Sequence, residues 1–249
     1  MERAGRNSNR KGGKIMKSTM IKDELEAREE EVAIAVDGVV LDGDLAVPAN
    51  ATGIVVFAHG SGSSRMSPRN REVAETIREK GMGTLLFDLL TADEERLDES
   101  TGALRFDIHM LATRLEGVTN WLISQPEWKQ MKIGFFGAST GAAAALVAAA
   151  HLGDRVAAVV SRGGRPDLAS GVLEQLRCPT LLIVGGLDEL VLRLNEDARA
   201  EMVCETELRI VPGATHLFSE PGKLEQVANL SARWFEKHMS GSAKERGDA

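Results

Sequence analysis

The sequence predicts an α/β protein: one mostly parallel sheet of eight strands with helices on both faces. Three observations predict it. From residue 53 onward, short apolar runs alternate with helical patterns, the order that yields parallel strands joined by crossover helices. The runs 53–58, 84–88, 133–136, 156–160 and 180–184 are almost unbroken in apolar residues, as strands buried on both faces are. Loops rich in glycine, serine and histidine follow several of them, at the strand ends where such sheets bind ligands.

Taken in order, residues 1–20 read as a disordered basic tail. Residues 1–17 hold six Lys/Arg and one acid, a net of +5, which leaves −12 on the other 232 residues of a chain of net −7. The tail is rich in Gly, Asn, Ser and Lys and has no aromatic residue to stack on a base. A translation start before Met16 or Met20 accounts for such a leader. With so acidic a body, no nucleic-acid partner is expected. Residues 21–240 then form a single domain and 241–249 a short tail.

Lys22 to Glu31 is a charged lead-in, read as a helical turn or two. Val32–Val36 and Val39–Val47 are strands, with Asp37-Gly38 a hairpin signal between them, so they pair as an antiparallel edge. After the strand 53–58, a helix spans Pro68 to Lys80, with proline near its start and Gly81 at its end. The next strand is 84–88, and Thr91 to Gly102 reads as a long acidic loop. Phe106–Ser124 is an amphipathic helix, with Leu111, Leu115, Val118 and Leu122 three or four apart. Strand 133–136 leads through a tight turn into an alanine-rich helix. Strands 156–160, 180–184 and 208–211 follow, with helices around 190–202 and 223–238.

At 249 residues, one such domain buries about three quarters of its extended-chain surface. Hydrophobic content of 43% with 27% charged residues is that of a soluble globular protein. No apolar run approaches the ~20 residues of a membrane span, and no secretory signal opens the chain. Cys178 and Cys204 alone make neither a disulfide framework nor a metal site. A cytoplasmic protein with no membrane partner, no metal and no cofactor is therefore expected, and a homodimer is left open.

The chemistry gathers at Gly137-Ala138-Ser139-Thr140-Gly141, a Gly-x-Ser-x-Gly sequence between a strand and a helix. A serine at so sharp a turn carries backbone strain of ~1–3 kcal/mol, and what the strain secures is an exposed hydroxyl at a positive helix end. The pattern alone is loose, since Gly/Ser turns are ordinary in α/β proteins. Two later loops sharpen it. Gly185-Gly-Leu-Asp188 follows the seventh strand and Gly213-Ala-Thr-His216 the eighth, so serine, acid and histidine come in that order. In this reading His216 takes the Ser139 proton while Asp188 fixes the imidazole tautomer. Asp188 could instead cap the following helix, and Glu189 is a substitute acid. His109, His151 and His238, on helices or their ends, read as ordinary surface or core residues. An oxyanion hole needs two backbone N–H donors: Thr140 supplies one and Ser61, in His59-Gly60-Ser61, the other, with Gly60 the near alternative. His59 itself reads as structural. The same Gly/Ser loop lacks the Gly-Lys-Ser/Thr ending of a phosphate cradle.

His59-Gly60, the serine turn, Gly-Leu-Asp188 and Gly-Ala-Thr-His216 together resemble the α/β-hydrolase superfamily, and within it the dienelactone-hydrolase-like members, over about residues 31–239. The resemblance implies the α/β-hydrolase fold, and the short spacing from sixth to seventh strand leaves no room for a large cap domain. Dienelactone hydrolases proper use cysteine where this chain has Ser139, which favours a serine esterase over a lactonase. Arg65, Arg162 and Arg165 lie in loops at the catalytic edge. Guanidinium forks hold carboxylates, so Arg65 and Arg162 are candidate substrate-binding residues for an acidic substrate, as in dienelactone hydrolysis. The plainer reading makes all three solvated loop residues or partners of the acidic Asp93–Glu99 segment.

The function expected is therefore a carboxylesterase-like serine hydrolase acting on a small-molecule ester through an acyl-enzyme. The same residues serve a thioesterase, an acyltransferase or a peptidase. A non-catalytic binding module on the same fold has no need of all three groups.

Overall fold

The computed structural model describes Met1 and residues 26–240. Apart from Met1, the two tails expected at 1–20 and 241–249 lie outside the described residues.

Eight strands form one sheet: β1 (Arg28–Val36), β2 (Val39–Val47), β3 (Gly53–Ala58), β4 (Gly83–Phe87), β5 (Lys132–Ala138), β6 (Val156–Arg162), β7 (Thr180–Gly185) and β8 (Thr206–Val211). Their spatial order is β1-β2-β4-β3-β5-β6-β7-β8. β1 and β2 are antiparallel to each other, and β2 to β4; every other neighbouring pair is parallel. The helices are α1 (Pro68–Glu79), α2 (Ala92–Thr101), α3 (Ile108–Ser124), α4 (Thr140–Leu152), α5 (Glu189–Glu201) and α6 (Lys223–Met239). This is the α/β-hydrolase arrangement, and among the described residues no large cap domain is inserted.

Crossover handedness sorts the helices. The step from β3 to β4 runs toward the β1 edge, whereas the steps from β4 through β8 run toward the other. A right-handed crossover reversed in direction must use the opposite face of the sheet. Accordingly α1 packs on one face with α6, burying Val73, Ile77, Val227 and Phe235. α3, α4 and α5 contribute to the core on the other, through Leu115, Val118, Leu146 and Ala198. The reversal falls at β3, so the loops after β3 and β5 leave toward opposite faces and a crevice opens between them. In open α/β sheets that crevice is where ligands sit.

Two segments differ from the sequence expectation. Residues 28–31 are not a helical turn but the start of β1, paired against Ala46, Leu45 and Asp44 of β2 and beyond. Their exposed Arg-Glu-Glu-Glu run charges an outer strand, which discourages edge-to-edge pairing. Residues 92–101 are not a loop but α2. The Thr91 side chain accepts from the Glu94 N–H while Glu94 accepts from the Thr91 N–H, a reciprocal cap, and Gly102 closes the helix in the left-handed region. A run of 3₁₀ turns over Pro166–Gln175, not anticipated either, joins β6 to β7.

α4 is buried along almost its whole length, and alanine is what lets it lie so close to the strands. At Gly141 an added Cβ would stand 2.3 Å from the carbonyl oxygens of both Ala58 and His59 at the end of β3. At Gly137 it would stand 2.4 Å from Ala142 Cα. Both obstacles are backbone, which cannot step aside. Gly141→Ala is therefore expected to cost ~1–3 kcal/mol or more, read as a lower urea midpoint at unchanged slope. A midpoint equal to the parent's would mean that the close approach is not a constraint.

Candidate active site

The crevice is built first by the β5–α4 turn. Ser139 has φ 51° and ψ −118°, a positive φ outside helix and strand that costs a non-glycine residue ~1–3 kcal/mol. Three backbone bonds hold it there: its N–H donates to Arg162 O (3.2 Å), and its carbonyl accepts from Ala142 (3.1 Å) and Arg165 (3.2 Å). Thr140, the first residue of α4, has an N–H with no acceptor one turn earlier.

The second part hangs from β7 and β8. Asp188 occupies the N-cap position of α5, yet its side chain makes no capping bond. Its Oδ2 lies 2.7 Å from His216 Nδ1 instead. A carboxylate only accepts, so Nδ1 carries the proton and the lone pair is left on Nε2. Glu189, the substitute acid, is exposed and faces Arg193 at 3.9 Å. His216 rides a tight turn pinned on both sides. Phe218, with φ 56°, is buried among α1 and α6 residues, and Glu220 accepts from the Thr215 N–H (3.1 Å) and hydroxyl (2.6 Å). The His216 ring packs on Gly163, where an added Cβ would meet Cε1 at 3.4 Å. Since the residue before that glycine holds the Ser139 N–H, Ser139 and His216 flank one short stretch of backbone. The structure thus joins His216 to Asp188; among the described residues no hydrogen bond joins Ser139 Oγ to the ring.

The third part is the loop after β3. An added Cβ on Gly60 would lie 3.1 Å from Ser139 Cβ, so this loop runs directly against the turn. Ser61 Oγ and Thr140 Oγ1 are 3.0 Å apart and share a hydrogen bond, tying together the two residues expected to donate backbone N–H groups. His59 braces the loop. Its Nε2 accepts from the Leu89 N–H (3.0 Å) and its Nδ1 donates to Gly60 O (3.0 Å). Burial lowers its pKa, which keeps the imidazole neutral and fit for both bonds.

The three arginines separate. Arg65 donates to Asp88 through its N–H (2.7 Å) and its guanidinium, and reaches Asp44 at 3.4 Å. Its fork is taken, and not by the Asp93–Glu99 segment. Arg165 pairs with Asp167 through 2.8 and 2.7 Å contacts. Arg162 is 7% exposed rather than solvated. Its Nε and Nη1 have no hydrogen-bond partner, and neither does Nε of Arg69 in the first turn of α1. Burial, with the Arg69 charge adding to it, pushes the Arg162 pKa down to about 10. Arg69 carried no signal in the sequence beyond being a helix residue.

With this geometry in place, comparison with known proteins is informative. Residues 41–240 match the dienelactone hydrolase family. The chain belongs to that family. A dienelactone hydrolase from Anabaena variabilis has 53% sequence identity and a TM-score of 0.84, covering 86% of this chain and all of the other. Est1E of Butyrivibrio proteoclasticus, at 17% identity and TM-score 0.71, shares the fold over 84% of this chain and 98% of its own. Two Mycobacterium tuberculosis proteins, provisionally named phosphoribosyl transferases, are 56% identical over 214 residues. Those residues are 86% of this chain and 47% of each of theirs, so the chain spans about half the length of these relatives.

In this family member a cavity of about 120 Å³ opens between the Gly60–Ser64 loop, Thr140 and α2. Carboxylates of Glu95, Asp98 and Glu99 line the α2 side. α2 itself buries only Asp98 and is held by ion pairs rather than by an apolar face. Asp98 accepts from the Leu104 and Arg105 N–H groups (2.8 and 3.1 Å) and from Arg105 Nε (2.6 Å). Glu94 takes both arms of Arg114, at 2.7 and 2.5 Å. No helix among the described residues is long and apolar enough to cross a membrane.

The Arg114 fork, chiefly by hydrogen bonding, lowers the Glu94 pKa from 4.5 to about 2. A carboxylate depressed by folding stabilises above its unfolded value and loses that contribution as pH falls toward its folded one. α2 is therefore expected to loosen between pH 4.5 and about 2. Lower amide protection of residues 92–101 across that window (exchange taken relative to the intrinsic rate at each pH), absent in Glu94→Gln relative to its own protection at pH 7, is the expected outcome. An equal pH response in the variant would remove Glu94 from the account.

Proposed function

We propose that this hydrolase-family protein cleaves carboxylic esters through an acyl-enzyme on Ser139. The observation that carries the reading is the Asp188 carboxylate, which leaves its helix uncapped and bonds His216 at 2.7 Å. A carboxylate that forgoes a cap worth ~1 kcal/mol to orient an imidazole is doing what a general base requires.

His216 Nε2 takes the Ser139 proton as Oγ adds to the substrate carbonyl. The resulting oxyanion is met by the N–H groups of Ser61 and Thr140, each such donor worth ~100–1000-fold in turnover. The tetrahedral adduct collapses by breaking its bond to the leaving alkoxide, which collects the proton from the imidazolium. Water, deprotonated by the same Nε2, then attacks the acyl-serine; its proton returns to Oγ as the acid departs. The hydrogen bond from Ser139 Oγ to His216 Nε2 forms when substrate is bound, as catalytic hydrogen bonds commonly do. With serine in place of cysteine as nucleophile, simple esters are better suited than the lactone of the family name. The transferase name of the mycobacterial relatives belongs to proteins about twice this length and is not carried over.

A fluorophosphonate probe is expected to modify the protein stoichiometrically and to leave Ser139→Ala unlabelled. Folded wild-type protein that resists labelling would favour a binding module instead. Ser139→Ala and His216→Ala should each lose ~10⁶-fold in kcat on short-acyl nitrophenyl esters, the double variant being hardly worse; multiplicative losses would mean the two do not act as a unit. Asp188→Asn should lose ~10⁴-fold through the wrong tautomer while Glu189→Gln changes little. The reverse ranking would move the acid to Glu189.

A further inference from the structure

Arg162 is the one group at the catalytic edge that neither the sheet nor the triad reading employs. As the last residue of β6 it shares the sheet face of Ala158 and Val160, the face covered by α1 and α6. Its guanidinium is buried within the electrostatic reach of Arg69, and neither forms an ion pair or a hydrogen bond among the described residues. Every other arginine at this edge has found an acid: Arg65 has Asp88 and Asp44, Arg71 has Asp44, and Arg165 has Asp167. A buried cation without an acceptor, next to a second cation, is costly. Such a group calls for an acceptor from outside the described residues.

We propose that Arg162 and Arg69 form an anion subsite that holds a phosphate monoester group on the substrate or product. Three features define the ligand. Two guanidiniums call for two negative charges, more than a single carboxylate brings. Arg69 lies in the first turn of the 12-residue helix α1, whose N-terminal dipole adds to the attraction. Arg69 is only partly buried, and Arg162 Nη2 is neither bonded nor fully enclosed, so an anion can reach the pair. The subsite also stands close to the chemistry. The Arg162 carbonyl holds the Ser139 N–H at 3.2 Å, and α1 follows the loop that carries Ser61. The substrate class this implies is an ester bearing a phosphate a few bonds from its scissile carbonyl. That last step rests on the hydrolase reading; the anion subsite does not.

The test has two arms on the intact chain. Thermal unfolding is followed with sodium phosphate or sodium acetate, against sodium chloride of equal ionic strength, in wild type and in Ser139→Ala. A saturable rise in Tm with phosphate beyond chloride is expected in both, lost in Arg162→Met, weakened in Arg69→Gln and kept in Arg71→Gln. Arg162→Met should itself unfold at a Tm no lower than the parent's, since it deletes an unpaired buried charge; were it to misfold, Arg69→Gln carries the comparison. No rise beyond chloride, or a rise unchanged in Arg69→Gln and Arg162→Met, overturns the subsite. A larger rise with acetate than with phosphate overturns the phosphate assignment. In the second arm, kcat/KM is measured for acetylglycerol phosphate and for acetylglycerol. The ratio of the two is expected to fall ~10- to 100-fold in Arg69→Gln; an unchanged ratio overturns the link to substrate. A phosphate response without turnover of either ester would sink the esterase reading alone, and turnover without that response would sink the subsite alone.

Discussion

Close backbone contact at the β5–α4 turn is the constraint on which the rest of the molecule depends. Gly141 presses against the carbonyls of Ala58 and His59, so the end of β3 and the start of α4 touch without side chains between them. That contact sets two distances together. It brings the loop after β3 against Ser139, and it holds Ser61 of that loop within hydroxyl hydrogen-bond distance of Thr140. A larger residue at position 141 would separate the two expected donors even where it left the strands intact. The positive φ of Ser139 follows from the same squeeze. Bonds from Ala142 and Arg165 and to Arg162 offset its strain, so the half-buried Ser139 is held by backbone rather than by side-chain packing.

Around this contact the supports are polar and local. His59 links the β3 loop to Leu89 after β4, Asp88 grips Arg65 in that loop, and Arg114 ties α2 to the Leu89 carbonyl (2.7 Å) as well as to Glu94. Each is a short strut between neighbouring strand ends. The two apolar cores lie on the faces of the sheet, and one of them reaches the cavity only through Leu89 and Leu111, with Leu90 packed against it. Apolar packing therefore positions the strands, and hydrogen bonds position the loops. The histidine turn shows the division plainly, with Phe218 anchored in one core and Glu220 clamping the backbone outside it.

Much of this was legible in the sequence because the strands are buried on both faces. Unbroken apolar runs located β3 without error and the others to within a few residues, and loops between them had to fall at strand ends. The order of Ser139, Asp188 and His216 could be read for the same reason. What escaped was decided by pairing. Residues 28–31 carry no strand periodicity; they are strand because β2 offers a ladder to Arg28 and the three glutamates after it. α2 lacks an apolar stripe, and its acids masked the Thr91–Glu94 cap, which was in the sequence to be found. The arginines illustrate the limit best. Arg65 and Arg162 look alike as loop cations, yet one meets Asp42 and Asp44 of β2 and Asp88 just after β4, while the other turns into the α1 face and meets no carboxylate among the described residues.

On the reading proposed above, that difference gives the crevice a polarity across Ser139. On the α2 side stand Glu95, Asp98 and Glu99, of which Asp98 is neutralised by Arg105. On the α1 side stand Arg162 and Arg69, and among the described residues no acid pairs with either. An ester with charge at one end would be repelled by one wall and drawn to the other, which orients its carbonyl before any contact with Ser139 is made. Orientation of this kind lowers the barrier by limiting the bound poses to the reactive one. It also explains why so costly a group as an unpaired buried guanidinium would persist beside the turn. Replacing it by an apolar residue would stabilise the folded chain, and on the proposed reading would erase the asymmetry that distinguishes the ends of a charged ester.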